Sequence, residues 1–224
     1  MPCPDRGHNI ILAMPQPAPR SVRPAADGPA LPPEAVDPST LRLRIYPEAI
    51  LRTKARPVGP VTDAVRRVAS RMLELMHEEE GIGLAAPQVG LAWRLFVCHV
   101  PDQAPSRGPD RSAQAGDGPA CDTDAGPLVC IDPVLRPLGD LEQAEEGCLS
   151  LPEIRGQVNR PSQVVLEATG LDGQRFTLHA GGLLARCIQH EADHLDGVLI
   201  IDKFGQLDRL RTRSAVRRLE RRSR

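Results

Sequence analysis

The chain has 224 residues, 41% hydrophobic and 25% charged, which is enough for one globular domain with a core of its own. No segment reaches the roughly 18 uncharged apolar residues of a membrane helix, and five aromatic residues in all leave no row of rings for stacking nucleic-acid bases, so a sequence-reading nucleic-acid module is excluded. The formal charge is −1, but residues 209–224 hold eight Arg against Glu220, so +7 sits at this end and −8 is spread over the rest.

Residues 1–40 carry ten prolines and little apolar periodicity, so they are expected to be a disordered extension. The one apolar stretch there, Ile10 to Met14, is shorter than the roughly 7–15 residues of a signal-peptide core and ends at Pro15, which argues against export. Six cysteines at irregular spacing in a chain of this size favour reduced thiols and a cytoplasmic protein. Between Thr62 and Glu80, Val65, Val68, Met72, Leu75 and Met76 recur at three and four residues. Thr62 can cap that helix and Gly81 can end it.

The apolar runs Leu95 to Val100 and Leu128 to Ile131 read as short buried strands. The Pro, Gly and Asp-rich stretch near residues 103–126 reads as a loop insertion between them. Alternation over Gln163 to Ala168 and Arg175 to His179, with the turn signal Asp172-Gly173 between, adds further strands. A second helix is expected from about Leu183 to Asp196, with Leu184, Ile188 and Leu195 on a buried face and Gly197 at its end. The fold class is then α+β, mostly antiparallel sheets around this helix, with one folded unit over residues 41–205 and a basic tail or helix over 206–224.

Residues 190–194 read His-Glu-Ala-Asp-His. Two His at i and i+4 lie roughly 40° apart around a helix and can share one ion, and Glu191 beside them can reach a water on that ion as a general base. The other reading is an amphipathic helix with solvated His and acids. A catalytic Zn²⁺ or Fe²⁺ takes three protein ligands and leaves a position open, so a third ligand is needed. The metzincin pattern requires His at position 200, where this chain has Ile200, and a thermolysin-like site requires a downstream Glu, for which only Glu220 is available. Cys187 lies on the same helix but too far along it to serve easily with both His, and reads better as a small buried residue. Cys148 lies in Glu146-Gly147-Cys148-Leu149-Ser150, read as extended, with Cys148 and Ser150 on one side and Leu149 on the other. It could bring a thiolate to the helix and leave the Leu149 amide free.

Three segments together resemble the peptide deformylases: Gly81-Ile82-Gly83-Leu84-Ala85-Ala86-Pro87-Gln88, Glu146-Gly147-Cys148-Leu149-Ser150, and His190-Glu191-Ala192-Asp193-His194, with similarity from about Leu41 to about Phe204. The resemblance implies removal of the formyl group from the initiator methionine of nascent peptides. It implies one divalent ion, natively Fe²⁺ with Zn²⁺, Ni²⁺ or Co²⁺ also accepted, on Cys148, His190 and His194. It gives Glu191 the role of base, makes the Gln88 side chain and the Leu149 N–H the oxyanion donors, and lines a peptide path with Gly81, Gly83 and Arg155. Family members can use a C-terminal helix to approach the ribosome, and the arginine tail suits RNA phosphates, with a frayed solvated end as the other reading. A zinc endopeptidase and a non-catalytic ribosome-associated protein are the competing functions. His8, His77, His99 and His179 have no matching partners, and Asp193 is expected to orient a neighbour.

Overall fold

A computed structural model describes residues 31–100 and 126–222. Its elements are helix α1 (Asp63–Glu78), strands β1 (Gly83–Ala85), β2 (Leu95–Cys98), β3 (Leu128–Gly147), β4 (Arg155–Thr169) and β5 (Arg175–Gly181), then helices α2 (Gly182–Leu195), α3 (Ile200–Lys203) and α4 (Gln206–Arg222). The five strands form one antiparallel sheet in chain order. This is the α+β class that the sequence patterns imply.

Helix α1 starts where Thr62 accepts from the Val65 N–H at 3.4 Å, and it buries Val65, Val68, Met72, Leu75 and Met76. Its exit differs from the expectation: the left-handed residue is Glu80 at φ 54°, not Gly81. Gly81 is needed for space instead, since a methyl there would lie 2.8 Å from the Leu149 side chain.

Strand β2 is buried on both faces. Leu95 and Val97 pack into the α1 core with Leu84 and Val129, while Phe96 and Cys98 face the α2 core with Cys130, Leu184 and Ile188. Two covered faces explain why its sequence reads as a continuous apolar run rather than an alternation. A third core joins Tyr46, Leu51, Leu151, Ile154, Phe204 and Leu219, from both ends of the described chain.

Three expectations are corrected. Strand β3 does not stop at Ile131 but runs on to Gly147, through irregularities between Ile131 and Val134 and between Leu138 and Leu141. Most of that extension is solvent-exposed, so no apolar pattern announces it; the ladder to β4 sustains it. Cys148 is consequently not within a strand. It opens a turn in which the Leu151 N–H donates to the Cys148 carbonyl at 2.9 Å. The expected disorder of residues 1–40 does not reach position 40: Pro33–Ala35 and Pro38–Thr40 form 3-10 turns, Val36 packs on the α1 core and the Trp93 indole donates to the Leu31 carbonyl. Prolines with fixed φ suit such turns. Residues 1–30 and the insertion, with His8, Cys3 and Cys121, lie outside the described residues. The 206–224 segment is helical over Gln206–Arg222.

Candidate metal centre and substrate cleft

Helix α2 follows β5 without a loop and lies between that hairpin and the β1–β2 edge. Its apolar residues Leu184, Ala185, Ile188 and Leu195 face the sheet. That rotation turns His190, Glu191 and His194 toward the Cys148 turn. The Cys148 Sγ lies 3.3 Å from the His194 Nε2, and Cys148, His190 and His194 can bring one ligand atom each within 4.8 Å of one another. It is the one such cluster of three among the described residues. Two ligands of a tetrahedral ion, thiolate at about 2.3 Å and imidazole at about 2.0 Å, stand roughly 3.5 Å apart, so the spacing fits a shared metal. A soft thiolate with two imidazoles suits Fe²⁺, Co²⁺, Ni²⁺ or Zn²⁺ rather than Mg²⁺ or Ca²⁺.

The His190 Nδ1 lies 3.0 Å from the Glu146 Oε2, which leaves its Nε2 for the cluster. Glu146 in turn accepts from the Arg160 Nε and Nη2 at 2.6 and 2.9 Å and from the Arg186 Nη1 at 2.8 Å. Burial alone would raise the Glu146 carboxyl, but its bonds to Arg160 and His190 outweigh this and hold it well below the usual range. Arg160 also donates to Asp193 at 2.7 Å, and Lys203 pairs with the other Asp193 oxygen at 3.1 Å. Asp193 thus orients its neighbours, as expected from its place on the helix.

Burial, with the Glu191 charge nearby, pushes the Cys148 thiol up to about 12, and burial foremost drives His194 well below its ordinary value. A divalent ion favours thiolate and neutral imidazole directly. Glu191 is 3% exposed, its Oε2 has no hydrogen-bond partner among the described residues, and burial pushes its carboxyl well above the usual range. A buried acid beside three groups that could hold a metal, with an oxygen free to accept, is the arrangement a proton-transfer group requires.

A cleft of about 350 Å³ opens over these groups, lined among others by Gly81, Gly83, Leu149, Arg155, His190 and Glu191. Gln88 is 1% exposed; its Oε1 accepts from the Ala85 N–H at 2.8 Å, so its Nε2 points to Ser150 at 3.3 Å and to the Cys148 sulfur at 3.6 Å. The Leu149 N–H meets no acceptor among the described residues and borders the same cleft. Gly83 has no room for a side chain: a methyl there would meet the Glu191 carboxylate. Arg155 reaches the rim, with a side chain 70% exposed and 4.0 Å from Glu145.

All nine residues singled out from the sequence therefore border one cleft or stand directly beneath it. The competing ligands do not join the Cys148, His190 and His194 cluster. Glu220 bonds to the Tyr46 hydroxyl at 3.0 Å, in the third core, and Cys187 is buried against the Ile82 carbonyl at 3.3 Å. His77 and His99, expected to stand alone, face each other with ring nitrogens 3.1 Å apart. The sequence reading missed the Glu146, Arg160 and Arg186 network. One signal was present: Gly156, Val158 and Arg160 occupy the inward positions of an alternating strand, and an arginine on an inward position needs buried acids.

The sequence model of the polypeptide deformylase family matches residues 40–210. A peptide deformylase of Acinetobacter baumannii is 41% identical over 177 residues, 79% of this chain and 89% of the relative, and one of Chromohalobacter salexigens is 44% identical over 165 residues, 73% of this chain and 85% of the relative. Among solved structures, a peptide deformylase from Synechococcus elongatus in complex with actinonin superposes with a TM-score of 0.65 at 36% identity, covering 91% of this chain and 94% of that one. A plant peptide deformylase superposes with a TM-score of 0.68 at 31% identity, covering 82% and 90%. With the family's match spanning most of the chain and with this cleft at its centre, the chain belongs to the polypeptide deformylase family.

Proposed function

We propose that this chain is a metal-dependent amide hydrolase that removes the N-formyl group from the initiator methionine of nascent polypeptides and releases formate. One observation carries the reading: the Cys148 sulfur, the two imidazoles of α2 and the buried Glu191 converge at the floor of a cleft inside the family-matched segment. In it, Cys148, His190 and His194 hold one divalent ion, Fe²⁺ natively, and α2 is the metal-binding helix at the centre of a catalytic unit spanning residues 41–205. Bound there, the ion supplies Lewis acidity toward the formyl carbonyl and toward water.

The protein's own residues do the rest. Glu191 takes a proton from the attacking water, and burial makes its carboxylate a stronger base than an exposed one. As the carbonyl carbon becomes tetrahedral, charge gathers on its oxygen, where the Gln88 amide and the Leu149 N–H donate. The Ala85 N–H fixes Gln88 with its donor end forward, so no reorganisation is needed at the moment of reaction. Glu191 then returns the proton to the leaving nitrogen, the C–N bond breaks, and formate and a free amine result. Gly81 and Gly83 keep the cleft wall low enough for a peptide backbone to lie along it, and Arg155 stands at its rim.

We further assign the enzyme to the cytoplasm, where nascent chains arise, and assign the arginine face of α4 to RNA phosphates of the ribosome. The test is direct. Purified protein loaded with Fe²⁺ or Ni²⁺ should release formate from a formyl-methionyl peptide; cleavage of internal peptide bonds without formate would favour the endopeptidase, and neither activity in metal-loaded protein would refute the reading.

A further inference from the structure

Three thiols of the α2 core, Cys98, Cys130 and Cys187, take no part in the chemistry above. All are buried, at 0, 0 and 4% exposure. Gly83 pairs with Cys98 across the β1–β2 ladder, and a methyl on Gly83 would lie 2.8 Å from the Cys187 Sγ. Antiparallel partners have Cα atoms about 4.5–5.5 Å apart, so the sulfur of α2 sits over the space the glycine leaves, beside the strand residue opposite it. Both side chains belong to the α2 core. Cys187 also borders the substrate cleft and donates its S–H to the carbonyl of Ile82, another cleft residue. Cys130 pairs with Phe96 across the β2–β3 ladder, two residues from Cys98 along β2, and does not border the cleft.

We propose that Cys98 and Cys187 are an oxidisable pair, and that hydrogen peroxide entering the cleft joins them as a disulfide that shuts the site until a dithiol reductant reopens it. The Cys187 sulfur attacks the peroxide oxygen, breaking the O–O bond and becoming a sulfenic acid while one water leaves; the Cys98 sulfur then displaces the hydroxyl, which departs as a second water. Two electrons pass from the sulfurs to the peroxide, and both thiol protons end in water. Cys187 meets the oxidant because it borders the cleft, and Cys98 resolves it because it is the adjoining thiol.

The consequence for the site follows from position. Closing to the ~2.05 Å of a disulfide draws the α2 backbone toward β2 one helical turn before Glu191, which is already packed against Gly83. It also removes the hydrogen bond to Ile82. The pairing stands by itself; its effect on turnover rests on the proposed function.

The test uses nickel-loaded full-length protein treated with hydrogen peroxide, quenched with an alkylating agent and mapped without reduction. We expect a peptide pair joined through Cys98 and Cys187, formate release lost with its formation, and recovery on adding dithiothreitol. Cys98→Ala, or Cys98→Val should the alanine variant fold poorly, should keep its basal activity and keep it through the same treatment. Cys130→Ala should behave as the parent chain does. A Cys98–Cys130 link, no link at all, or a Cys98→Ala enzyme inactivated as fast as the parent would overturn the proposal, the last by placing the damage at Cys148. Protein that forms the 98–187 link yet never releases formate would sustain the pairing and refute the deformylase reading instead.

Discussion

Gln88 and Glu191 are held by different means, and their variants should fail differently. Gln88 is fixed by its own hydrogen bonds to Ala85 and Ser150 and makes only a long contact to Cys148. Gln88→Ala should cost about 3–4 kcal/mol of barrier, seen as a fall in kcat of roughly 10²–10³-fold with metal content unchanged. Glu191 has a buried oxygen without a partner. Glu191→Gln removes the proton acceptor but preserves shape, so kcat should fall by about 10²–10⁴-fold while stability holds or improves, because a buried carboxyl is costly. A variant that was inactive and also metal-free would assign Glu191 to the ligand set instead. Gly83→Ala is the steric counterpart: the new methyl meets Glu191 and lies 2.8 Å from the Cys187 sulfur, so activity should fall with the protein still folded by circular dichroism. The proposed ligands and base were legible in the sequence because metal chemistry demands particular residues at particular spacings. The Glu146, Arg160 and Arg186 cluster was not, because its members are 14 to 40 residues apart and only the β3–β4 pairing and the packing of α2 bring them together.

At the scale of elements, helix α1 was read from apolar periodicity and strand β2 from a continuous apolar run, because each buries what its sequence advertises. Met72 is fully buried on α1, and Met72→Ala should lower stability by about 2–5 kcal/mol in chemical denaturation. The end of that helix offers a milder test. Arg71 donates to Glu78 at 2.8 and 3.2 Å and holds its carboxyl below the usual range. A carboxyl whose pKa is depressed by folding contributes stability that is present above its unfolded pKa and lost as the pH falls through its folded one. Glu78→Gln should therefore flatten the acid side of the stability curve, from the ordinary carboxylate range downward, and added salt should shrink the difference because the pair is exposed. The long β3–β4 hairpin was read only in fragments, since its outer half has no buried face to impose alternation. Its departure from regularity is local: Asp132 takes φ 49° and uses its carboxylate to accept from the Val58 N–H at 2.8 Å, a capping role that the apolar pattern gives no means of anticipating.

At the scale of the molecule, α4 belongs to the third core as well as to the surface. Leu219 is 7% exposed, Glu220 accepts from Tyr46, and Arg209 donates to the Asp202 carbonyl at 2.6 Å. Removing residues 206–224 should therefore expose Leu151, Ile154 and Phe204, lower the melting temperature, and impair folding before it impairs chemistry, as judged by thermal melts alongside formate release. The contact between Tyr46 and Glu220 spans 174 positions of sequence. On a translating ribosome, the compartment containing Tyr46 and Leu51 cannot seal until that distant helix has left the exit tunnel, after the three proposed metal ligands have emerged. An enzyme that tends the beginnings of other chains thus closes this side of its own fold only once Glu220 is free to reach Tyr46.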